Sequence, residues 1–194
     1  MALDAAPVRA QTDVALSVYG AFNGSTNGNG TQQSPSNSAG GMVELRHISH
    51  PLIGYDVTYS FNRGNQTYST NSYSCPVVGP CPAPPSAAAV SANAHELTGD
   101  YVASVKLANL RPFVLGGVGL LLNEPVSGQS DTTSSTKAVF VYGAGLDWGL
   151  LPHLGLRLQY RGNLYKAPDL TTVYTSTGAF THSAEPMIGA YFRF

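Results

Sequence analysis

The sequence predicts an all-β chain whose eight antiparallel strands meander up and down and close into a barrel. Three observations carry this. Apolar residues alternate with polar residues or glycine in one run after another. Charged residues make up only 11% of the 194 positions, where soluble domains run near ~25%. The connections between runs are alternately long and short along the whole chain. The length fits one domain, and 21 glycines with 11 tyrosines match a strand-and-turn composition.

The clearest stretch is 137–161. Lys137, Val139, Val141, Gly143, Gly145 and Asp147 share one face, and Ala138, Phe140, Tyr142, Ala144, Leu146 and Trp148 share the other. After the turn GLLPH, Gly155, Arg157, Gln159 and Arg161 alternate with Leu154, Leu156, Leu158 and Tyr160. Successive side chains of a strand point to opposite sides, so this is a hairpin with one apolar face. These are the sixth and seventh strands.

The first strand is read at 13–22 and the second at 41–49, where Val43, Leu45 and His47 oppose Met42, Glu44 and Arg46. In the third, 52–62, Ile53, Tyr55, Val57, Tyr59 and Phe61 alternate with Gly54, Asp56, Thr58 and Ser60. The fourth, 93–107, sets Leu97, Gly99, Tyr101, Ala103 and Val105 against Glu96, Thr98, Asp100, Val102, Ser104 and Lys106. The fifth, 111–122 (RPFVLGGVGLLL), is apolar or glycine on both faces; Phe113 and Leu115 are placed outward. In the eighth, 183–194, Pro186, Ile188, Ala190, Phe192 and Phe194 alternate with Glu185, Met187, Gly189, Tyr191 and Arg193. Pro186 lacks an amide donor and needs a gap in the ladder.

Long connections fall at 23–40, 63–92, 123–136 and 163–182, with short turns at 49–51, 108–110 and 149–153. An antiparallel meander then carries all long loops at one end and all short turns at the other. That is the plan of bacterial outer-membrane barrels, with long loops extracellular, short turns periplasmic and, for even strand numbers, both termini periplasmic. No run reaches the ~18 apolar residues of a spanning helix, but a spanning strand needs only ~9–11 alternating ones. The fold class is therefore an eight-stranded, up-and-down transmembrane β-barrel. Residues 1–11 are read as a flexible N-terminal segment, too short and polar for a full signal peptide, and 12–194 as the barrel domain.

A sheet in lipid must close, because unpaired backbone groups are too costly there. Eight strands enclose an interior just filled by side chains. The polar face carries Glu44, Arg46, Asp56, Glu96, Asp100, Lys106, Lys137, Asp147, Arg157, Arg161, Glu185 and Arg193. These six acids and six bases are expected to form a lumenal salt-bridge network. A soluble, lipocalin-like binding barrel with these charges outward is the competing architecture. Its surface would be far poorer in charge than the ~25–35% usual for soluble proteins.

Cys75 and Cys81 sit in a proline-rich loop with no further ligand beside them, so they read as a short disulfide made in an oxidising compartment. No residue is assigned to catalysis, to a cofactor or to a metal. With a net charge of -1 and no basic run, nucleic acid is not an expected partner.

RPFVLGGVGLLL, KAVFVYGAGLDWGLLPHLGLRLQYR and the ending MIGAYFRF together resemble the small outer-membrane β-barrel superfamily of the OmpA transmembrane domain, OmpX and the opacity proteins. The likeness spans about 12–194. It implies that the terminal Phe194, with Phe192 and Tyr191 behind it, is the signal read by the barrel-assembly machinery. The periplasmic peptidoglycan-binding domain of some members is expected to be absent. It also implies a non-enzymatic role in envelope integrity or adhesin-like surface interaction, carried by solvated, mobile long loops. The implied partners are outer-membrane lipid, lipopolysaccharide and an extracellular surface partner. Loop 63–92, pinned by its cysteines and prolines, is the one expected to hold a defined shape. A narrow pore for ions or small solutes is an alternative, since Gly54, Gly143, Gly145, Gly155 and Gly189 leave room in the lumen. A lipid A-modifying enzyme is another, because His47-Ile48-Ser49 has the H-x-S pattern of outer-membrane deacylases. Against it, no acid shares that face and the element borders a short turn. His95 and His182 approach the extracellular rim without metal-like spacing.

Overall fold

The alternating runs become the walls of a closed sheet in the computed structural model, which describes residues 10–50, 52–70, 79 and 87–194. The strands are β1 (Gln11–Asn23), β2 (Thr26–Gly28), β3 (Thr31–Pro35), β4 (Ser38–His50), β5 (Ile53–Thr70), β6 (Ala88–Ser104), β7 (Leu110–Pro125), β8 (Ser135–Gly149), β9 (Leu154–Lys166) and β10 (Phe180–Arg193). Every neighbour pairs antiparallel; β1 lies between β4 and β10, and β5 with β6 completes the ring. Eight long strands thus make the barrel. The described residues contain no helix.

The short strands β2 and β3 form a hairpin inside the first long connection, one the alternation does not reveal. Its turn is Asn29-Gly30, with φ of 50° and 77°. Positive φ at both central residues is the type I′ geometry that matches strand twist, and Asn-Gly is its preferred sequence. From there β3 takes over from β4 as the neighbour of β5, with Thr31 opposite Thr70 and Pro35 opposite Gln66. At the handover the Ser36 amide donates to the Asn65 carbonyl at 2.8 Å. Much of the expected loop 63–92 is therefore strand: β5 runs to Thr70 and β6 starts at Ala88. The expected disulfide of Cys75 with Cys81 and the loop prolines fall outside the described residues, as do residues 1–9.

Faces follow the alternation in seven of the long strands. The outer surface carries Leu16 and Val118, both 66% exposed, with Val18, Tyr55, Tyr101, Phe140, Trp148, Leu158 and Phe192. An apolar belt of this extent is the surface of a protein in lipid. Three tyrosine hydroxyls on this surface are satisfied locally. Tyr142 bonds His182 at 2.9 Å, Tyr59 bonds His95 at 2.8 Å, and Tyr101 donates to the Leu52 carbonyl.

The exception is β7. Phe113 and Leu115 are buried inside the barrel, not outward, and Val114, Val118 and Leu120 face out instead. Glycine on the neighbouring strand decides the face. A Cβ on Gly145 would overlap the Phe113 ring, and one on Gly143 would press Leu115 at 3.3 Å. Large side chains of β7 fill the room that small residues of β8 leave, as close packing requires. Pro186 sits where the β1–β10 ladder skips two positions between Tyr19↔Met187 and Phe22↔Ala184. The missing donor falls in that gap.

Candidate functional site: the lumen and the loop crown

Register brings the lumenal charges together. Arg46 lies opposite Asp56 and Asp13 on its two neighbouring strands, and Arg157 lies opposite Asp147. Arg46 donates to Asp56 through Nε at 3.2 Å and Nη2 at 3.1 Å, and Nη2 also meets Glu44 at 2.9 Å. Arg157 holds Asp147 in a two-point bond, with Nε to Oδ1 at 2.6 Å and Nη2 to Oδ2 at 3.0 Å. It also reaches across the lumen to Asp13 at 2.9 Å and to Glu44 on β4. The Phe113 ring lies 4.0 Å from the Arg46 guanidinium, a cation–π contact in the same layer. Planar, bidentate pairing is what arginine offers over lysine in a dry site.

One layer nearer the long loops, Arg161 meets Asp100 at 3.0 Å and donates to Thr98 at 2.9 Å. Above it the ionic pattern stops. Glu96 accepts from Asn163 Nδ2 at 3.0 Å, and Glu185 accepts from the Ser183 hydroxyl at 3.1 Å. Beside these layers, Val102, Phe113, Leu115, Leu121, Val139, Val141 and Tyr165 form an apolar cluster inside the barrel. The lumen thus holds an ionic lattice beside an apolar cluster.

Of the twelve charges read as lumenal, Glu44, Arg46, Asp56, Glu96, Asp100, Asp147, Arg157, Arg161 and Glu185 are buried in the barrel. Lys137 and Arg193 sit half-buried at opposite ends, Lys137 paired with Asp169 at 2.8 Å and Arg193 resting 5.0 Å from the Tyr191 ring. Lys106 does not belong to the set. β6 ends at Ser104, and Lys106 lies exposed in the turn that Leu107 and Leu110 close. Two members were missed: Asp13 is fully buried, and Arg111 is 7% exposed and bonds Gln11. Alternation of Asp13 with Ala15, Ser17 and Tyr19 carried the signal for the first. Among the buried charges of the described residues, acids therefore outnumber bases: Asp13, Glu44, Asp56, Glu96, Asp100, Asp147 and Glu185 against Arg46, Arg111, Arg157 and Arg161. The lumen is not balanced.

At the long-loop end the described parts of the connections pack on one another instead of projecting freely. The Tyr68 hydroxyl donates to the Pro168 carbonyl at 2.9 Å and accepts from the Leu170 amide at 3.1 Å. Gln33 Nε2 donates to the same carbonyl at 3.0 Å. Leu170 is fully buried with Tyr68, Val90 and Ala92, and Tyr174 packs on them. Thr26 with Thr177 and Asn29 with Ser176 tie the β2–β3 hairpin to the last long loop. The 123–136 connection joins through the Thr132–Thr171 bridge. These loops form a capped crown with its own small core.

His47 of the H-x-S element is held from β1 and β5. His47 Nδ1 bonds the Thr12 hydroxyl at 2.9 Å, and its ring packs on Tyr55. The described residues hold no cluster of three metal-ligating His, Cys, Asp or Glu side chains.

The family model described as outer membrane protein beta-barrel domain matches residues 1–182. This chain belongs to that family. Solved structures agree in fold. Neisserial surface protein A superposes with a TM-score of 0.61 at 14% identity, covering 94% of this chain and 97% of that one. OprG from Pseudomonas aeruginosa gives 0.60 at 9% identity, covering 96% of each. Ail, the attachment invasion locus protein of Yersinia pestis, gives 0.55 at 15% identity, with 96% and 100% covered. No curated protein matches the chain in sequence. The architecture is thus an outer-membrane barrel, with the apolar belt against lipid and the ionic lattice inside.

Proposed function

We propose that this chain is a non-enzymatic outer-membrane protein that acts through its crown at the cell surface, in an adhesin-like or envelope-stabilising role. In this reading the long loops are extracellular and both termini periplasmic. The belt contacts lipid and lipopolysaccharide, and Phe194 is read by the assembly machinery. The observation that carries it is the crown itself. Tyr68, Gln33 and Leu170 hold loop backbone in a defined shape above the belt, and a preordered surface loses less entropy on binding than free loops. Among the structural neighbours, Ail is described as an attachment invasion locus protein and has been crystallised with the heparin analogue sucrose octasulfate.

The lumen speaks against the pore reading. Arg157 and Arg161 cross it to β4 and β6, and breaking one such pair costs ~3–5 kcal/mol. The test is display of the protein in the outer membrane of a non-adherent bacterium, beside a Tyr68→Ala/Leu170→Ala variant that keeps heat-modifiable migration. Wild-type cells are expected to gain attachment to host-cell or matrix surfaces, or resistance to detergent, that the variant lacks. Equal behaviour of both with stepwise conductance in planar bilayers would overturn the reading in favour of a channel.

A further inference from the structure

Just above Arg161 the lumen holds a cavity of about 40 Å³ whose lining includes Glu96, Glu185, Asn163, Asn123, Tyr19 and Tyr165. Its two carboxylates differ from the other buried acids of the barrel. Asp13, Glu44, Asp56, Asp100 and Asp147 each meet a guanidinium, whereas Glu96 and Glu185 are bonded only by neutral donors. The nearest cation, Arg161, gives its Nη2 to Asp100 and Thr98, and among the described residues its Nε and Nη1 bond no acid, so three carboxylates share one guanidinium. Both glutamates are 4% exposed. Among the described residues, Glu96 Oε1 and Glu185 Oε2 have no hydrogen-bond partner. Independently of the acids, Asn163 is 1% exposed and spends its amide nitrogen on Glu96, while its carbonyl Oδ1 also lacks a partner.

Buried charge without compensation is costly, and buried polar atoms are normally satisfied. Glu96, Glu185 and Asn163, from three strands, line one polar cavity, and each has an oxygen left to accept, which is the acceptor half of a cation site. We propose that this chamber binds a hard, oxygen-preferring divalent cation of the calcium class, held by Glu96, Glu185 and the Asn163 carbonyl with water completing the shell. Calcium accepts carboxylate, amide carbonyl and water oxygens in irregular geometry, where magnesium demands a near-ideal octahedron. About 10–15 Å³ seats one water-sized occupant, so the cavity holds an ion and about two waters. The lining continues past half-buried Asn23 and Ser36 to exposed Asn65, at the point where β3 gives way to β4. That polar route reaches the crown side without crossing the ionic lattice. With only two carboxylates, the affinity belongs in the ~10⁻⁴–10⁻³ M class of extracellular calcium modules. The site is independent of any surface role.

The test uses the folded protein in detergent, stripped with chelator and free of lipopolysaccharide. Calcium is expected to raise the thermal unfolding midpoint in a saturable way. It is also expected to displace terbium whose luminescence is sensitised by Tyr19 and Tyr165. Glu96→Gln/Glu185→Gln should abolish both signals, and Asn163→Asp, which adds a third carboxylate, should tighten calcium about tenfold. Heat-modifiable migration establishes that each variant is folded; if the double variant is not, the Asn163→Asp shift and terbium displacement on the wild type decide. No calcium effect on the wild type overturns the proposal. So does an effect that the double variant keeps, or stability that follows pH but not calcium, which would mean the two glutamates share a proton.

Discussion

The two halves of the lumen solve the burial of charge in different ways. Near the short turns, Arg46 and Arg157 are enclosed by Asp13, Glu44, Asp56 and Asp147, and each guanidinium bridges several strands. Near the long loops, Glu96 and Glu185 rely on Asn163 and Ser183, and room remains beside them. The first arrangement is a tie that holds the wall closed. The second is a chamber, and removing charge from it should have the opposite consequence.

Five substitutions sharpen that contrast. Arg157→Met strips the tie from three carboxylates at once and should cost the most, ~3–5 kcal/mol, read as a lower denaturant midpoint for loss of the folded band in detergent. Leu170→Ala empties the crown core. It should cost about 2–3 kcal/mol confined to the crown, so hydrogen exchange and proteolysis should rise around Tyr68 and 167–174 while β8–β9 stays protected. Gly145→Val drives a side chain into Phe113 and should destabilise by ~1–3 kcal/mol, read as a lower denaturant midpoint. The same change at Gly99, where an added Cβ would meet nothing within 4 Å, should be far milder. Glu185→Gln removes a charge that no arginine bonds. Without divalent cation it should leave the unfolding midpoint within about 0.5 kcal/mol of wild type or raise it.

What was legible in the sequence follows the same physics. Where one face of a strand is polar, as at Glu44 and Arg46 or Arg157 and Arg161, alternation assigned the lumen directly. At Phe113 and Leu115 both faces are apolar, and the deciding information lies on another strand, in Gly143 and Gly145. Lys106 shared the phase of β6 but not its ladder, since pairing with β7 ends at Ser104. A three-residue error in a strand end moved a charge from lumen to solvent. The Asn29-Gly30 turn was a readable hairpin signal, hidden among Asn, Gly and Ser that read equally well as loop. The crown was not legible. Its contacts join Tyr68 to Pro168 and Thr26 to Thr177, far apart in sequence and without any periodic mark.

The central claim is that the ring-bearing face meets lipid and the ions face inward, and the chain carries its own probe. Trp148 is the single tryptophan, outward and 47% exposed near the short-turn end. Reconstituted into vesicles, its fluorescence should be blue-shifted, quenched by lipids brominated on the acyl chain near the headgroup, and shielded from aqueous iodide. Quenching by iodide with no response to brominated lipid would place that face in water and contradict the account.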